Sequence, residues 1–244
     1  MAQEIGRFDV VVIGSGSSGL CTSIAAAKGG ARVLIVEKQA EVGGMLHIAN
    51  GEVSAAGTRR QAARGIEDDP ERHFADVMRL SHGKANPDFV RRAVYAQREL
   101  IDWLDELGFD FHPATPALVH GHEVYSVPRT YWGRDYGRSV LRLLRRLLDE
   151  QVAQGTVRLR LGTRVTRLLT DGGRVTGVAG VTADGAEVVA HGDAVVLATG
   201  GYDANPGLRN RFLPPGCENA LIGCLDHATG DGLTLAAELG AAVS

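Results

Sequence analysis

Gly14-Ser15-Gly16-Ser17-Ser18-Gly19 constrains this chain more than any other segment. It matches G-x-G-x-x-G and directly follows Phe8-Asp9-Val10-Val11-Val12-Ile13, a short apolar run rich in β-branched residues. Such a run reads as a buried parallel strand. Leu20 to Lys28 is alanine-rich and favours helix. Gly29-Gly30 stops that helix, and Val33-Leu34-Ile35-Val36 reads as a second buried strand ending at Glu37. The motif alone is weak in a glycine-rich chain. A strand before it, a helix after it and an acidic residue roughly 20 positions on make it specific for a dinucleotide. Gly14 permits the sharp turn, Gly16 lets a pyrophosphate approach the backbone, and Gly19 lets the helix lie close to the strand. Ser17 and Ser18 then read as amide or hydroxyl donors at a helix N-terminus, where unpaired N–H groups and the dipole favour phosphate. Glu37 would accept hydrogen bonds from the adenosine ribose hydroxyls, which disfavours NADP. The plainer alternative is a glycine-rich turn with no ligand.

Composition bounds the remaining classes. The 32 glycines in 244 residues are about 13% of the chain, against a usual level of roughly 7%. They fall in short clusters between apolar runs, which suits tight turns and close approach of backbone to a ligand. A formal net charge of -3 supplies no basic field for nucleic acid. No apolar stretch approaches the roughly 20 residues that span a bilayer. Residues 1–7 lack the basic-then-apolar signal pattern, so a cytoplasmic protein is expected. Cys21, Cys217 and Cys224 form no CxxC pair and read as small buried hydrophobes.

Along the chain, residues 41–58 form a loop of small residues. Pro70 to Leu107 is helical in pattern, with Phe89, Val90, Ala93, Val94, Leu100, Ile101 and Leu104 at helical spacing. Residues 109–136 are irregular. Ser139 to Val152 is an amphipathic helix with a leucine stripe opposite Arg142, Arg145, Arg146 and Asp149. The period then changes to two. Val157 to Leu161 and residues 164–169, 174–181 and 186–190 read as strands, with hairpin turns at Asp171-Gly172-Gly173 and Asp184-Gly185. Ala194-Val195-Val196-Leu197 is another buried run, and Gly232 to Ala241 is a final helix.

The fingerprint does not separate NAD from FAD. After Glu37 a nicotinamide domain would normally enter its next helix. This chain instead runs through Glu41-Val42-Gly43-Gly44-Met45 and Asn50-Gly51-Glu52-Val53-Ser54-Ala55-Ala56-Gly57-Thr58. Small residues of this kind can lie along an extended ribityl-flavin with their amides exposed; the alternative is a solvated loop. An NAD-dependent dehydrogenase remains the rival reading.

These residues resemble the flavoprotein family of fumarate reductases, succinate dehydrogenases and 3-ketosteroid dehydrogenases. Val33 to Lys38 followed by Gly43-Gly44 looks like the family's second strand and flavin loop, and Ala49-Asn50-Gly51 through Thr58 like its small-residue stretch. Val195 to Tyr202, with Ala198-Thr199-Gly200-Gly201, resembles its ATGG signature. Ala228-Thr229-Gly230-Asp231-Gly232 resembles its TGDG element. The resemblance implies an FAD-dependent oxidoreductase, with Asp231 near the flavin or ribityl chain and Val165 contacting adenine through its backbone. The implied cofactor contacts add Lys38, Gly43, Gly44, Met45, Asn50, Gly51, Ala198, Thr199 and Gly200 to the phosphate and ribose residues above. Some members attach FAD through a histidine in the flavin loop. Met45 stands at that position and His47 is two residues off, so non-covalent FAD is implied. The family's cap domain, which follows TGDG and carries the substrate groups, has no counterpart before Ser244. A second polypeptide or a further C-terminal part is expected to supply it, with no catalytic residue assignable here.

Two clusters are weighed beside this. His112, His120 and His122, with Glu123 and Asp135, suggest a metal site only weakly, and a surface or partner-facing loop is the preferred reading. Arg129, Arg134 and Arg138 with Tyr131, Trp132 and Tyr136 would suit a carboxylate substrate, or a solvated helix entry with arginines packed on aromatic faces. The expectation for the whole is an α/β chain. It has a Rossmann-like FAD-binding fold with a central parallel sheet, an additional antiparallel β-meander and a helical insertion at 69–152. All of 1–244 forms one FAD-binding domain that binds FAD and a small-molecule substrate, with no metal, no nucleic acid and no membrane span.

Overall fold

The computed structural model describes residues 2–119, 125–214, 216–217 and 220–242. Two compact units are present: residues 1–48 with 141–244, and residues 49–140.

In the first unit, β1 (Gln3–Ile13), β2 (Val33–Val36), β5 (Val157–Arg160), β6 (Thr163–Asp171), β7 (Arg174–Thr182) and β8 (Glu187–Leu197) form one sheet in the order β5-β2-β1-β8-β7-β6. The first four in that order are mutually parallel, and β8-β7-β6 are antiparallel. The parallel sheet and the meander expected from the sequence are therefore continuous. Their joint is β8, which spans both segments read separately from the sequence. Gly192 makes this possible: a Cβ there would lie 2.8 Å from Val11 Cγ2 on β1. The last three residues of β1 (Val11, Val12 and Ile13) and all of β2 are buried, as their unbroken apolar runs require. Val11, Ile13, Leu34, Val36, Val165 and Val178 share one core cluster on one face of the sheet.

Helix α1 (Ser17–Lys28) packs against β1, β2 and β5. It buries Gly19, Leu20, Ser23, Ile24 and Ala27, and the Ser23 hydroxyl donates to Gly19 O at 2.7 Å. Cys21 falls off that stripe and is exposed, while Cys217 and Cys224 are half-buried, so the expectation of buried thiols is not met. A second departure is the run 194–197: Ala194 and Leu197 are exposed, because the run pairs only with β1 and β7 covers β8 no further than His191.

The second unit contains a short β3 (Val53–Ser54) paired antiparallel with β4 (Thr130–Tyr131), and helices α2 (Arg59–Ala62), α3 (Pro70–Leu80) and α4 (Pro87–Glu106). The helical stretch expected from 70 to 107 is broken in two. Pro70 and Pro87 each open a helix behind a capping Asp69 or Asn86. His82 and Gly83, at φ 50° and 74°, form the turn between them. Helix α5 (Tyr136–Ala153) carries the boundary between units, and its stripe of Leu141, Leu143, Leu144, Leu147 and Leu148 is buried as predicted. Two further helices, α6 (Pro206–Phe212) and α7 (Asp231–Glu238), complete the first unit. Among the described residues no helix is long and apolar enough to cross a membrane.

Candidate functional site

The C-terminal ends of β1, β2 and β8 meet at the glycine-rich turn. Gly14 N donates to Val36 O, and Ala198 N to Ile13 O, both at 2.9 Å. Gly14 has φ 99°, and a Cβ there would lie 2.4 Å from Ala198 O. At Gly19 a Cβ would lie 2.0 Å from Gly14 O. These two glycines close the turn onto its neighbours. Gly16 is different: a Cβ there meets nothing within 4 Å. It caps α1 with no side-chain bond, and Ser17 and Ser18 are exposed. The first amides of α1 thus face open space with the positive end of the helix dipole behind them, which is the arrangement an anionic diphosphate requires.

Gly43 and Gly44, at φ 127° and 51°, place the next loop beside this turn. Gly43 N donates to Ser15 O at 2.9 Å, and a Cβ on Gly44 would sit 3.3 Å from Gly16 Cα. Met45 lies in the 3-10 turn that follows and is half-buried. His47 Nε2 donates to Val42 O at 3.1 Å.

Glu37 is buried at the end of β2. Its Oε2 accepts from Ser15 N at 2.8 Å and Ser15 Oγ at 2.7 Å, and its Oε1 accepts from Gln39 N at 2.8 Å. A carboxylate has about four lone-pair sites, so acceptor capacity remains for a ribose. Ser15 stands at a variable position of the motif, and its small hydroxyl type is the only local signal of its role.

Lys38 Nζ donates to Asp231 Oδ2 at 2.9 Å and to Thr229 Oγ1 at 2.7 Å, and Arg164 Nη2 donates to Asp231 Oδ1 at 2.8 Å. Burial opposes ionisation of Asp231, but hydrogen bonds from Lys38, Thr229 and Arg164 outweigh it and hold its carboxyl below the usual range. Asp231 therefore groups with Lys38, with Thr229 and with Arg164, the neighbour of Val165. The role of Arg164 is not legible in the sequence, because its partner lies 67 residues away on another element. Val165 turns its side chain into the core and pairs with Gly180 of β7. Thr199 Oγ1 accepts from Gly232 N at 3.1 Å, tying the Ala198-Thr199-Gly200 turn to the start of α7.

Asn50 and Gly51 belong to the second unit, where Asn50 is exposed and a Cβ on Gly51 would approach Gly137 Cα to 2.8 Å. In that unit the arginine–aromatic cluster divides rather than forming one site. Arg129 is fully buried and neither solvated nor open to a substrate. It binds Asp68 (2.8 Å) and Asp76 (2.7 Å), with its guanidinium 5.1 Å from the Tyr125 ring. Arg134 is exposed and pairs with Asp110 at 3.0 Å. His120, His122 and Glu123 lie outside the described residues.

A parallel β-α-β start, an uncapped helix N-terminus over an open glycine and a buried acidic residue ending the second strand define a dinucleotide-binding protein. Comparison with known proteins narrows this. The family model described as "FAD binding domain" matches residues 9–244. The chain is 33% identical to the NADH:fumarate oxidoreductase of Klebsiella pneumoniae (strain 342), over 96% of this chain and 24% of that protein. Among solved structures, the open conformation of a flavocytochrome c3 fumarate reductase superposes with a TM-score of 0.87 at 29% identity, covering 98% of this chain and 41% of that one. A 3-ketosteroid-Δ4-(5α)-dehydrogenase from Rhodococcus jostii RHA1 superposes at 0.83 with 26% identity, covering 98% and 55%. The chain belongs to this FAD-binding family and corresponds to the N-terminal part of its longer relatives. FAD, not NAD, is the cofactor that family membership assigns, and the open cradle at Gly16 fits its pyrophosphate.

Proposed function

We propose that this chain is the FAD-holding part of an oxidoreductase that acts on a carbon adjacent to a carbonyl or carboxylate. When bound, FAD supplies hydride exchange at its N5 atom. The chain's own residues bind and orient. The amides of Gly16, Ser17 and Ser18 hold the pyrophosphate, and Glu37, pinned by Ser15, accepts from the ribose. Val165 offers its backbone to adenine. Ala198, Thr199 and Gly200 form a turn beside the phosphate loop. Lys38 and Asp231, locked together, set the spacing between β2 and α7. Gly43, Gly44, Met45, Asn50 and Gly51 are proposed to line the flavin.

The carrying observation is the open, uncapped N-terminus of α1 at Gly16, beside a Gly14 that admits no side chain. Attachment is proposed to be non-covalent, since Met45 offers no nucleophilic nitrogen and the His47 Nε2 is engaged by Val42 O. Substrate chemistry is assigned to a further polypeptide, in the same chain or a second one, because this chain spans only 24–55% of the length of the relatives above. Leu197, 40% exposed just before the Ala198 turn, gives such a partner an apolar contact.

The purified chain should be yellow, and acid precipitation should release all the flavin into the supernatant. Turnover of a fumarate-type or 3-ketosteroid substrate should require a second polypeptide. A colourless chain that FAD does not bind would refute the cofactor reading. Flavin left in the pellet would refute non-covalent attachment, and robust turnover by the chain alone would refute the need for a partner.

A further inference from the structure

Positive φ is left to glycine almost throughout the described residues: 19 glycines adopt it, and the two other residues that do are His82 and Tyr136, both at φ 50°. An L side chain in that region crowds its own carbonyl, and a bulky one there is a true outlier. His82 stands in an exposed turn beside Gly83, which has open space around it. Tyr136 is held from three sides. Its N–H donates to Gly133 O and the next amide, Gly137 N, donates to Ala49 O, both at 2.9 Å. A Cβ on Gly51 would lie 3.0 Å from the Tyr136 carbonyl carbon. Glycine at 136 would take up the same backbone without strain.

No contact of the side chain among the described residues offsets that strain. Tyr136 is 55% exposed. Among those residues its ring stacks on no other ring, and its hydroxyl has no hydrogen-bond partner. Strained positions of this kind persist where the side chain serves a ligand. Beside Tyr136 runs the Ala49-Asn50-Gly51 turn. We propose that Tyr136 is a flavin-contacting residue, its phenol ring packing against the isoalloxazine of bound FAD; this rests on the reading that Asn50 and Gly51 line the flavin. Tyrosine suits the task. Its face stacks on an aromatic heterocycle, and its two side-chain torsions cost little to order. The contact offsets a backbone strain that the FAD-free chain carries uncompensated.

The test titrates the full chain with FAD and with ADP, which shares the adenosine diphosphate end and lacks the flavin, and melts it without either. Tyr136→Gly should raise the melting temperature of the nucleotide-free chain by roughly 2–4 °C as the strain is relieved. It should weaken FAD roughly 3- to 10-fold and leave ADP unchanged. Tyr136→Leu keeps the strained φ, so it should lose the same FAD affinity without the gain in melting temperature. Its bound flavin should also emit more brightly, because a phenol in contact quenches the excited ring. Tyr136→Phe keeps the ring and should hold FAD within about twofold of the unmodified chain. Unchanged FAD affinity in Tyr136→Gly and Tyr136→Leu would overturn the contact while leaving FAD binding intact. Equal losses of FAD and ADP, or a lower melting temperature in Tyr136→Gly, would overturn it by marking a structural role. An unmodified chain that binds neither nucleotide would overturn it together with the cofactor reading beneath it.

Discussion

Gly14 and Gly16 stand two residues apart and answer to different forces. Gly14 is glycine for the fold: its φ of 99° and the 2.4 Å approach of Ala198 O leave no place for a Cβ. Gly16 has φ -70° and open space, so the fold itself tolerates a side chain there. Gly14→Ala is expected to cost stability, at least about 1–3 kcal/mol from backbone strain alone. Gly16→Ala should change stability by less than about 0.5 kcal/mol yet weaken FAD by at least about tenfold, because the methyl occupies the pyrophosphate's path. Thermal melts and flavin-fluorescence titrations of the two variants check this; equal losses of stability would contradict it. The motif spacing announced both glycines but not the difference between them. Ser15 was less legible still. Its two bonds to Glu37 join residues 22 apart, and no local pattern records which carboxylate a serine will meet.

At the scale of elements, α3 and α4 show where periodicity falls short. The apolar spacing continues from 70 to 107 and predicts one helical stretch. Pro87 and its cap Asn86 restart the helix instead. Splitting the helix leaves α3 free to present His73 and Asp76 inward, toward Arg129 and Tyr125. Acid should loosen this arrangement in two stages. Burial and the nearby Arg129 lower His73 from 6.5 to about 4. A depressed folded value means its stabilising effect is complete above pH 6.5 and lost as pH falls toward 4. Asp76 is opposed by burial but held down to about 2 by Ser126, Arg79 and Arg129. Its contribution is complete above 3.8 and is lost as pH falls through 2. The melting temperature should decline first between pH 6.5 and 4 and again below 3.8. Histidine proton NMR should show His73 titrating near 4, and a His73 that titrates near 6.5 would remove the first stage.

Over the whole molecule, ligand linkage offers the sharpest reading. FAD at about 100 times its Kd should stabilise the chain by about 2.7 kcal/mol, and NAD at equal concentration should not. Thermal unfolding with each nucleotide tests this, and equal shifts would return the choice to NAD. The antiparallel strands also gain their meaning at this scale. Their hairpin turns were plain from Asp171-Gly172-Gly173 and Asp184-Gly185, but their attachment to the parallel sheet was not. That attachment depends on β8 running unbroken through His191-Gly192-Asp193, where Gly192 lies against Val11.

The βαβ start, Val33–Val36 as a whole strand, the leucine face of α5 and the tight glycine turn after β1 were settled by the sequence alone. Each is decided by residues within one or two turns of one another, where backbone sterics and burial period leave a single solution. Tertiary structure alone decided that Ser15 pins Glu37, that Lys38 and Arg164 converge on Asp231, that Arg129 is buried between Asp68 and Asp76, and that β8 joins two sheets into one. Those outcomes rest on charges and hydrogen-bonding groups far apart in the chain. Their partners are selected by the packing of whole elements, and local pattern carries no record of it.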